Sequence, residues 1–327
     1  MPTSKCVLVT GGAGFIGSHI NEMLYRRGYQ TIVVDDLSNG HPGCVLNGKW
    51  LKGSVCDASF LDFLFKNHSI DAVMHFAALK NVGESVKDPL KYYENNVGGT
   101  LQLLSAMQRY GINVFIFSSS AAVYGLPGQS ILNEDHPCLP INAYGQTKLI
   151  IEKVLEDLSR TSSMRFTSLR YFNAAGGDPE GKIANYKRRD QNLIPLILSS
   201  LNDPDAFVPI FGTDYSTKDG TCVRDYIHVD DIGLAHMSAM EKLFLGAPSV
   251  HYNLGNGQGF SVKEVVRAIE NVTRKKVNVK EIERREGDPP FLVASSEKAK
   301  KELNWTPRYP EIESMIEHAW KNFIHSP

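Results

Sequence analysis

At 327 residues the chain exceeds what one ordinary core holds, so a large domain with an added lobe, or two domains, is expected. Apolar content of 42%, charged content of 22% and a net charge of −1 describe a protein with a sizeable core and no field that would gather nucleic acid or anionic lipid. Five cysteines without a Cys-x-x-Cys pair argue against a disulfide framework and a metal site, and no run nears ~18 apolar residues, so a cytoplasmic protein without metal or membrane partner is expected.

The chain opens on CVLVT at 6–10, FIGSHINEMLYRRG at 15–28 and TIVVDD at 31–36, which reads as strand, helix, strand. In that helix Ile16, Ile20, Met23 and Leu24 share one face, leaving the opposite face free to be wet, and Gly28 stops it. Between the first strand and the helix lies TGGAGFIG. Gly11 permits a tight turn, Gly14 lets backbone approach a pyrophosphate, and Gly17 lets the helix pack closely, while the helix N-terminus supplies donors. Asp35 ends the second strand, where a carboxylate accepts from ribose hydroxyls and repels a 2′-phosphate, so NAD is expected over NADP.

The alternation continues with DAVMHFAA at 71–78, a helix carrying Val97, Leu101, Leu104 and Met107 that ends at Gly111, and VFIFSSS at 114–120. A further helix runs from about Tyr144 to Ser159, and FTSLRYF at 166–172 is the next strand. Runs apolar on both faces fit an α/β fold with a Rossmann-type doubly wound parallel sheet. The strand ending VFIFSSS delivers Ser118, Ser119 and Ser120 to the carboxyl edge of the sheet, where open α/β folds bind ligands. Tyr144 and Lys148, four apart, share a helix face, and an ammonium near a phenol favours the ionised form, which would make the tyrosine a usable base.

After Asn173 the texture turns to polar loops broken by a short helix near 192–201, and Lys187-Arg188-Arg189 reads as a solvated loop. The expected division is a nucleotide-binding domain over 1–172, with a return segment at about 226–257, and a smaller substrate-binding lobe over 173–327.

TGGAGFIGSH, SSSAAVYG and AYGQTK together resemble the extended short-chain dehydrogenase/reductase superfamily. HFAALKNVGESVKDPLKYYENNVGGT at 75–100, RYFNAAG at 170–176, QNLIP at 191–195, DGTCVRDYIHV at 219–229 and RREGDPP at 284–290 are similar to the UDP-glucose 4-epimerases. That resemblance implies transient oxidation at sugar carbon 4 by bound NAD, interconverting UDP-glucose and UDP-galactose in a homodimeric enzyme. By the same resemblance Tyr144 is the acid/base, Lys148 holds the nicotinamide ribose and Ser120 bonds the reacting oxygen. Cofactor contacts are implied for Gly11, Gly14, Phe15, Ile16, Gly17, Asp35, Asn39, Phe76, Lys80, Asn95, Ser118, Tyr144, Lys148 and Tyr171. Substrate contacts are implied for Lys80, Ser120, Tyr144, Asn173, Asn192, Leu193, Arg224, Arg285 and Asp288.

Two departures from the family's pattern stand out. Ser54, with Asp57 three residues on, replaces an acidic residue that reads the adenine amine, and Ser295 replaces a common aspartate, with Leu292 at the wall of the sugar pocket. A nucleotide-sugar 4,6-dehydratase would need an Asp-Glu pair where Ala121 and Ala122 stand, and a non-catalytic NAD-binding regulator would be expected to lose the Tyr-Lys pair.

Overall fold

The computed structural model describes residues 5–128, 131–184, 192–203, 205–285 and 288–324, so the Lys187-Arg188-Arg189 run lies outside the described residues. In chain order come β1 (Cys6–Thr10), α1 (Phe15–Arg26), β2 (Gln30–Asp35), β3 (Lys49–Lys52), α2 (Ala58–Asn67), β4 (Ala72–His75), α3 (Val82–Lys87), α4 (Pro89–Tyr92), α5 (Gly99–Arg109) and β5 (Val114–Ser120). There follow β6 (Ile131–Leu132), α6 (Ala143–Thr161), β7 (Arg165–Tyr171), β8 (Asn173–Ala175), α7 (Leu193–Ser200), β9 (Val208–Phe211) and β10 (Val223–His228). The remainder is α8 (Val229–Phe244), β11 (Val250–Leu254), β12 (Gly259–Ser261), α9 (Val262–Thr273), β13 (Val279–Ile282), β14 (Phe291–Ala294), α10 (Glu297–Leu303) and α11 (Ile312–Ile324).

Two compact units emerge. The first takes residues up to Gly125, Cys138–Arg170 and Gly233–Tyr252; the second takes Leu126–Pro137, Tyr171–Ile232 and the chain from Asn253 onward. The first unit is built on a seven-stranded sheet in the order β11-β7-β5-β4-β1-β2-β3, the doubly wound order that the alternating pattern predicts. Pairs β1/β2, β1/β4, β2/β3 and β4/β5 are parallel, with Val9 opposite both Val33 and Met74. Period-two alternation sends Leu8, Ile32, Val34, Val73, Phe115 and Phe117 to one face, where they join Leu61 and Leu64 of α2, Leu103 and Met107 of α5, and Ile151 and Leu155 of α6. On α1, Met23 and Ile20 lie against Gly233 of α8, where a Cβ would come within 2.4 Å of the Met23 sulfur.

Several local expectations shift. The opposite face of α1 is wet only toward its end: Ser18, Asn21 and Glu22 are buried, while Tyr25 and Arg26 are exposed. Asn21 donates to the Asn47 carbonyl, and Glu22 accepts from Asn47 and Arg26, so polar partners satisfy the buried part of that side. The strand expected over 71–78 ends at His75, because the residues that follow leave the sheet as loop. Before α5 the chain makes a π-helical turn over Tyr93–Gly98.

In the second unit β10 pairs with β8, β12 and β14, and β14 pairs with β6; β13 pairs with β9. Two boundaries therefore differ from the sequence reading. Residues 126–137 join the second unit because Ile131 and Leu132 register with Val293 and Ala294, and β10, expected in the return segment, belongs to this smaller sheet. Its core unites Ile194, Ile197 and Leu198 of α7, Val265 and Ile269 of α9, and Met315 and Ile316 of α11. A reciprocal capping box between Ser261 and Glu264 starts α9. Among the described residues no helix is long and apolar enough to cross a membrane, and no group of His, Cys, Asp and Glu is arranged to hold a metal ion.

Candidate active site

The glycine turn lies at the carboxyl end of β1. Gly11 has φ +70, and a Cβ there would sit 2.5 Å from the Ala77 amide nitrogen, so only glycine fits. A Cβ on Gly17 would meet the Gly11 carbonyl oxygen at 2.4 Å, which fixes how closely α1 begins upon the turn. Gly14 is the N-cap of α1 and has no side chain to accept from the first-turn amides, and the first turn, opened by Phe15 and Ile16, carries no acidic residue. Such an end can take an anion, so these residues fit a dinucleotide pyrophosphate. Asp35 is buried at the end of β2, where its carboxylate accepts from the Ala13 amide at 3.0 Å and the Leu37 amide at 2.8 Å. A carboxylate is the acceptor that ribose hydroxyls require.

Around this turn, Asn39 is exposed, Phe76 packs its ring 5.0 Å from that of His236, and Lys80 is exposed in the loop after β4. Asn95 lies in the π-helical turn and donates to Asn96 at 2.9 Å, near Cys56. Ser54 accepts from the Cys56 amide at 3.2 Å, so a hydroxyl stands after β3 where the family pattern has a carboxylate, and Asp57 caps α2 by accepting from the Ser59 and Phe60 amides through Oδ1.

Asn142 starts α6 by accepting from the Gly145 amide, which sets Tyr144 and Lys148 in the first two turns. Ser120 hydrogen-bonds the Tyr144 hydroxyl, and Lys148 donates to the Ser118 carbonyl at 2.7 Å, with its ammonium 4.9 Å from the Phe117 ring centre. The electrostatics run opposite to the sequence expectation. Burial pushes the Tyr144 phenol up, against the Ser120 hydrogen bond, and pushes Lys148 down to about 7, against the attraction of Glu152. Desolvation outweighs the opposing contact in each case, the Ser120 hydrogen bond at Tyr144 and the Glu152 charge at Lys148.

In the second unit, Arg224 on β10 donates to the Pro289 carbonyl at 2.9 Å and pairs with Asp288 at 3.1 Å. Arg285 is not part of that pair; its guanidinium lies 3.5 Å from the Phe211 ring centre. Asn173 donates to the Asp225 carbonyl, while Asn192 caps α7 without a side-chain bond, just before Leu193; Tyr171, at the end of β7, is buried. Leu292 stands opposite Arg224 in the β10/β14 register, and the Ser295 amide donates to the Leu132 carbonyl.

A family model described as "NAD dependent epimerase/dehydratase family" matches residues 7–255. The chain belongs to this NAD-dependent epimerase/dehydratase family. It is 48% identical to a UDP-glucose 4-epimerase of Halalkalibacterium halodurans over 96% of this chain and 94% of that one. The fold matches the UDP-glucose 4-epimerase of Brucella ovis in complex with NAD at a TM-score of 0.94, 42% identity and 98% coverage of each chain. It also matches the enzyme of Bifidobacterium longum in complex with NAD+ and UDP at 0.91, with 37% identity and 97% coverage of each.

Within this epimerase/dehydratase chain, two buried carboxylates escape sequence reasoning. Asp225, beside Arg224, accepts from the Asn256, Gly257 and Ala294 amides at 2.8, 3.1 and 3.0 Å, and burial pushes it up to about 6. Glu152, one turn beyond Lys148, meets Arg170 and Ser119 in the interior. An acidic residue at the spacing 144, 148, 152 was the available signal; its partner Arg170 lies on another element.

Proposed function

We propose that the chain interconverts UDP-glucose and UDP-galactose, with NAD as a retained cofactor and Tyr144 as the acid/base. The observation that carries this reading is the Tyr144, Ser120 and Lys148 constellation, in which one helix face is tied to the end of β5 in a family member nearly half identical to such enzymes along its length. When bound, NAD supplies a reversible acceptor for the hydride of sugar carbon 4. Gly11, Gly14 and Gly17 form its pyrophosphate cradle, Asp35 takes ribose hydroxyls, and Lys148 bonds the nicotinamide ribose. Phe15, Ile16, Asn39, Phe76, Lys80, Asn95, Ser118 and Tyr171 line the same cofactor.

On the substrate, Tyr144 removes and returns the 4-hydroxyl proton, and Ser120 bonds the same oxygen. Arg224 and Arg285 neutralise the diphosphate, Asp288 takes uridine ribose hydroxyls, and Asn173, Asn192, Leu193 and Lys80 complete the binding. Arginine suits that task because its planar fork matches phosphate oxygens. The Arg224 to Asp288 pair holds the guanidinium in place, and the Phe211 ring does the same for Arg285. At the position where elimination would need an acid, the turn after β5 carries Ala121 and Ala122, which speaks against a dehydratase. We assign the enzyme to the cytoplasm and to a homodimer, the latter supported by exposed apolar residues Val86, Leu90 and Leu101 on α3 to α5 and tested by light scattering of the purified protein, where a monomer mass would overturn it. The deciding experiment feeds UDP-galactose to purified protein without added oxidant or reductant and measures UDP-glucose; no product would overturn the assignment.

A further inference from the structure

Tyr144, Lys148 and Glu152 form one stripe of α6, four residues apart, and each is tied to a different one of three successive serines on β5. Tyr144 meets the Ser120 hydroxyl, Lys148 the Ser118 carbonyl at 2.7 Å, and Glu152 the Ser119 hydroxyl, which donates to Oε1 at 2.6 Å. We propose that Glu152, held by Arg170 and Ser119, is a positioning residue for the reaction assigned above: it locks the reactive stripe against β5 and supplies the negative charge that sustains the Lys148 ammonium.

The Glu152 side chain has no exposed surface, and that of Arg170 is 6% exposed. Arg170 donates from Nε to Oε1 at 3.0 Å and from Nη2 to Oε2 at 2.6 Å, and its Nη1 donates to the Tyr124 hydroxyl at 3.0 Å. Burying such a pair gains little stability, since apolar replacements of equal volume are often as stable or more so. A role beyond holding the fold therefore accounts better for its place one turn from Lys148.

The charges facing Lys148 are few. On its own helix stand Tyr144 and Glu152; from β4 comes His75, kept neutral as burial, and then Lys148, push it down to about 3. Around Glu152 stand Arg170, His251, Glu156 and Cys138, with His251 Nδ1 3.7 Å from its carboxylate and Nε2 3.1 Å from Glu156. Burial raises the Glu152 carboxyl, but Arg170, His251 and Ser119 outweigh it and hold the group ionised. Glu152 is thus a fixed anion facing a lysine that burial would otherwise discharge.

The test compares the pH dependence of kcat for UDP-galactose in the wild type, Glu152→Gln and the double variant Glu152→Leu with Arg170→Met. Removing a nearby anion disfavours an ammonium, so the alkaline limb should move to lower pH in Glu152→Gln, and by less in the double variant, which also removes the Arg170 cation. Above that limb kcat should fall about tenfold or more while KM for UDP-galactose and NAD affinity stay within about twofold. The apolar double variant keeps the test decisive if Glu152→Gln does not fold. A folded variant with the wild-type alkaline limb would overturn the proposal, whatever its melting temperature. A wild type that does not turn over UDP-galactose would instead overturn the functional assignment.

Discussion

Tyr144 is buried in a setting that raises its pKa, so the base role proposed for it would depend on neighbours that stabilise the phenolate, Ser120 first among them. Tyr144→Phe keeps the ring and removes the hydroxyl. Since positioned acid/base groups contribute ~10²–10⁴-fold, turnover should drop by that factor while UDP affinity is retained. Turnover above about a tenth of wild type would move the role to another group, with Ser120 the first candidate. Leu292 sets a different limit. It is half-buried on β14 opposite Arg224, so if the sugar binds beside Arg224 as proposed, a bulky group on it would have to displace this leucine. Forcing extra atoms into a packed site costs ~1–3 kcal/mol, roughly 5- to 150-fold, and UDP-galactose should exceed UDP-N-acetylgalactosamine in kcat/KM by that margin. Leu292→Gly should narrow the gap; equal efficiencies in the wild type would show that this leucine is not the gate.

At the scale of elements, α6 carries a burden that its pH response should reveal. Lys148 falls from its ordinary 10.5 to about 7 on burial, so between those values the unfolded chain binds more protons than the folded one. Stability must then rise with pH across that window, and the cost of the buried ammonium is present in full below about 7. Lys148→Met removes this dependence along with activity. Its stability relative to wild type should therefore be most favourable at pH 6 to 7 and decline steadily toward pH 10, read as the difference in Tm; a pH-independent difference would place the lysine in contact with water. Much of this element was legible beforehand. β1 and β5 begin and end where their apolar runs do, because strands covered on both faces leave a continuous signature. The π-helical turn at Tyr93–Gly98 has no periodicity to announce it, and the Arg224 to Asp288 pair joins residues 64 apart that only the register of β10 with β14 brings together. The expectation for Tyr144 and Lys148 considered their mutual charge and omitted desolvation, which a helical spacing does not reveal.

At the scale of the whole molecule, a cofactor that is regenerated in each turnover can stay bound, and the cradle proposed at the glycine turn and Asp35 would favour the unphosphorylated dinucleotide. Side chains are excluded from the glycine turn, where a Cβ on Gly11 or Gly17 would clash with backbone, and Asp35 is oriented by the Ala13 and Leu37 amides. Because those two bonds hold the carboxylate in place, a 2′-phosphate would meet a fixed negative charge and not one that can swing aside. Purified protein, once denatured, should therefore release NAD and little NADP on chromatography. A ligand that binds only the folded state stabilises it by about 2.7 kcal/mol at a hundred times its Kd, so protein stripped of nucleotide should gain several degrees in Tm with NAD. The same concentration of NADP should give a clearly smaller rise. Asp35→Asn removes the charge while keeping one acceptor, and should shrink the difference between the two nucleotides mainly by weakening NAD. An equal rise with both nucleotides in the wild type, or NADP as the main species released, would remove Asp35 from the role of discriminator.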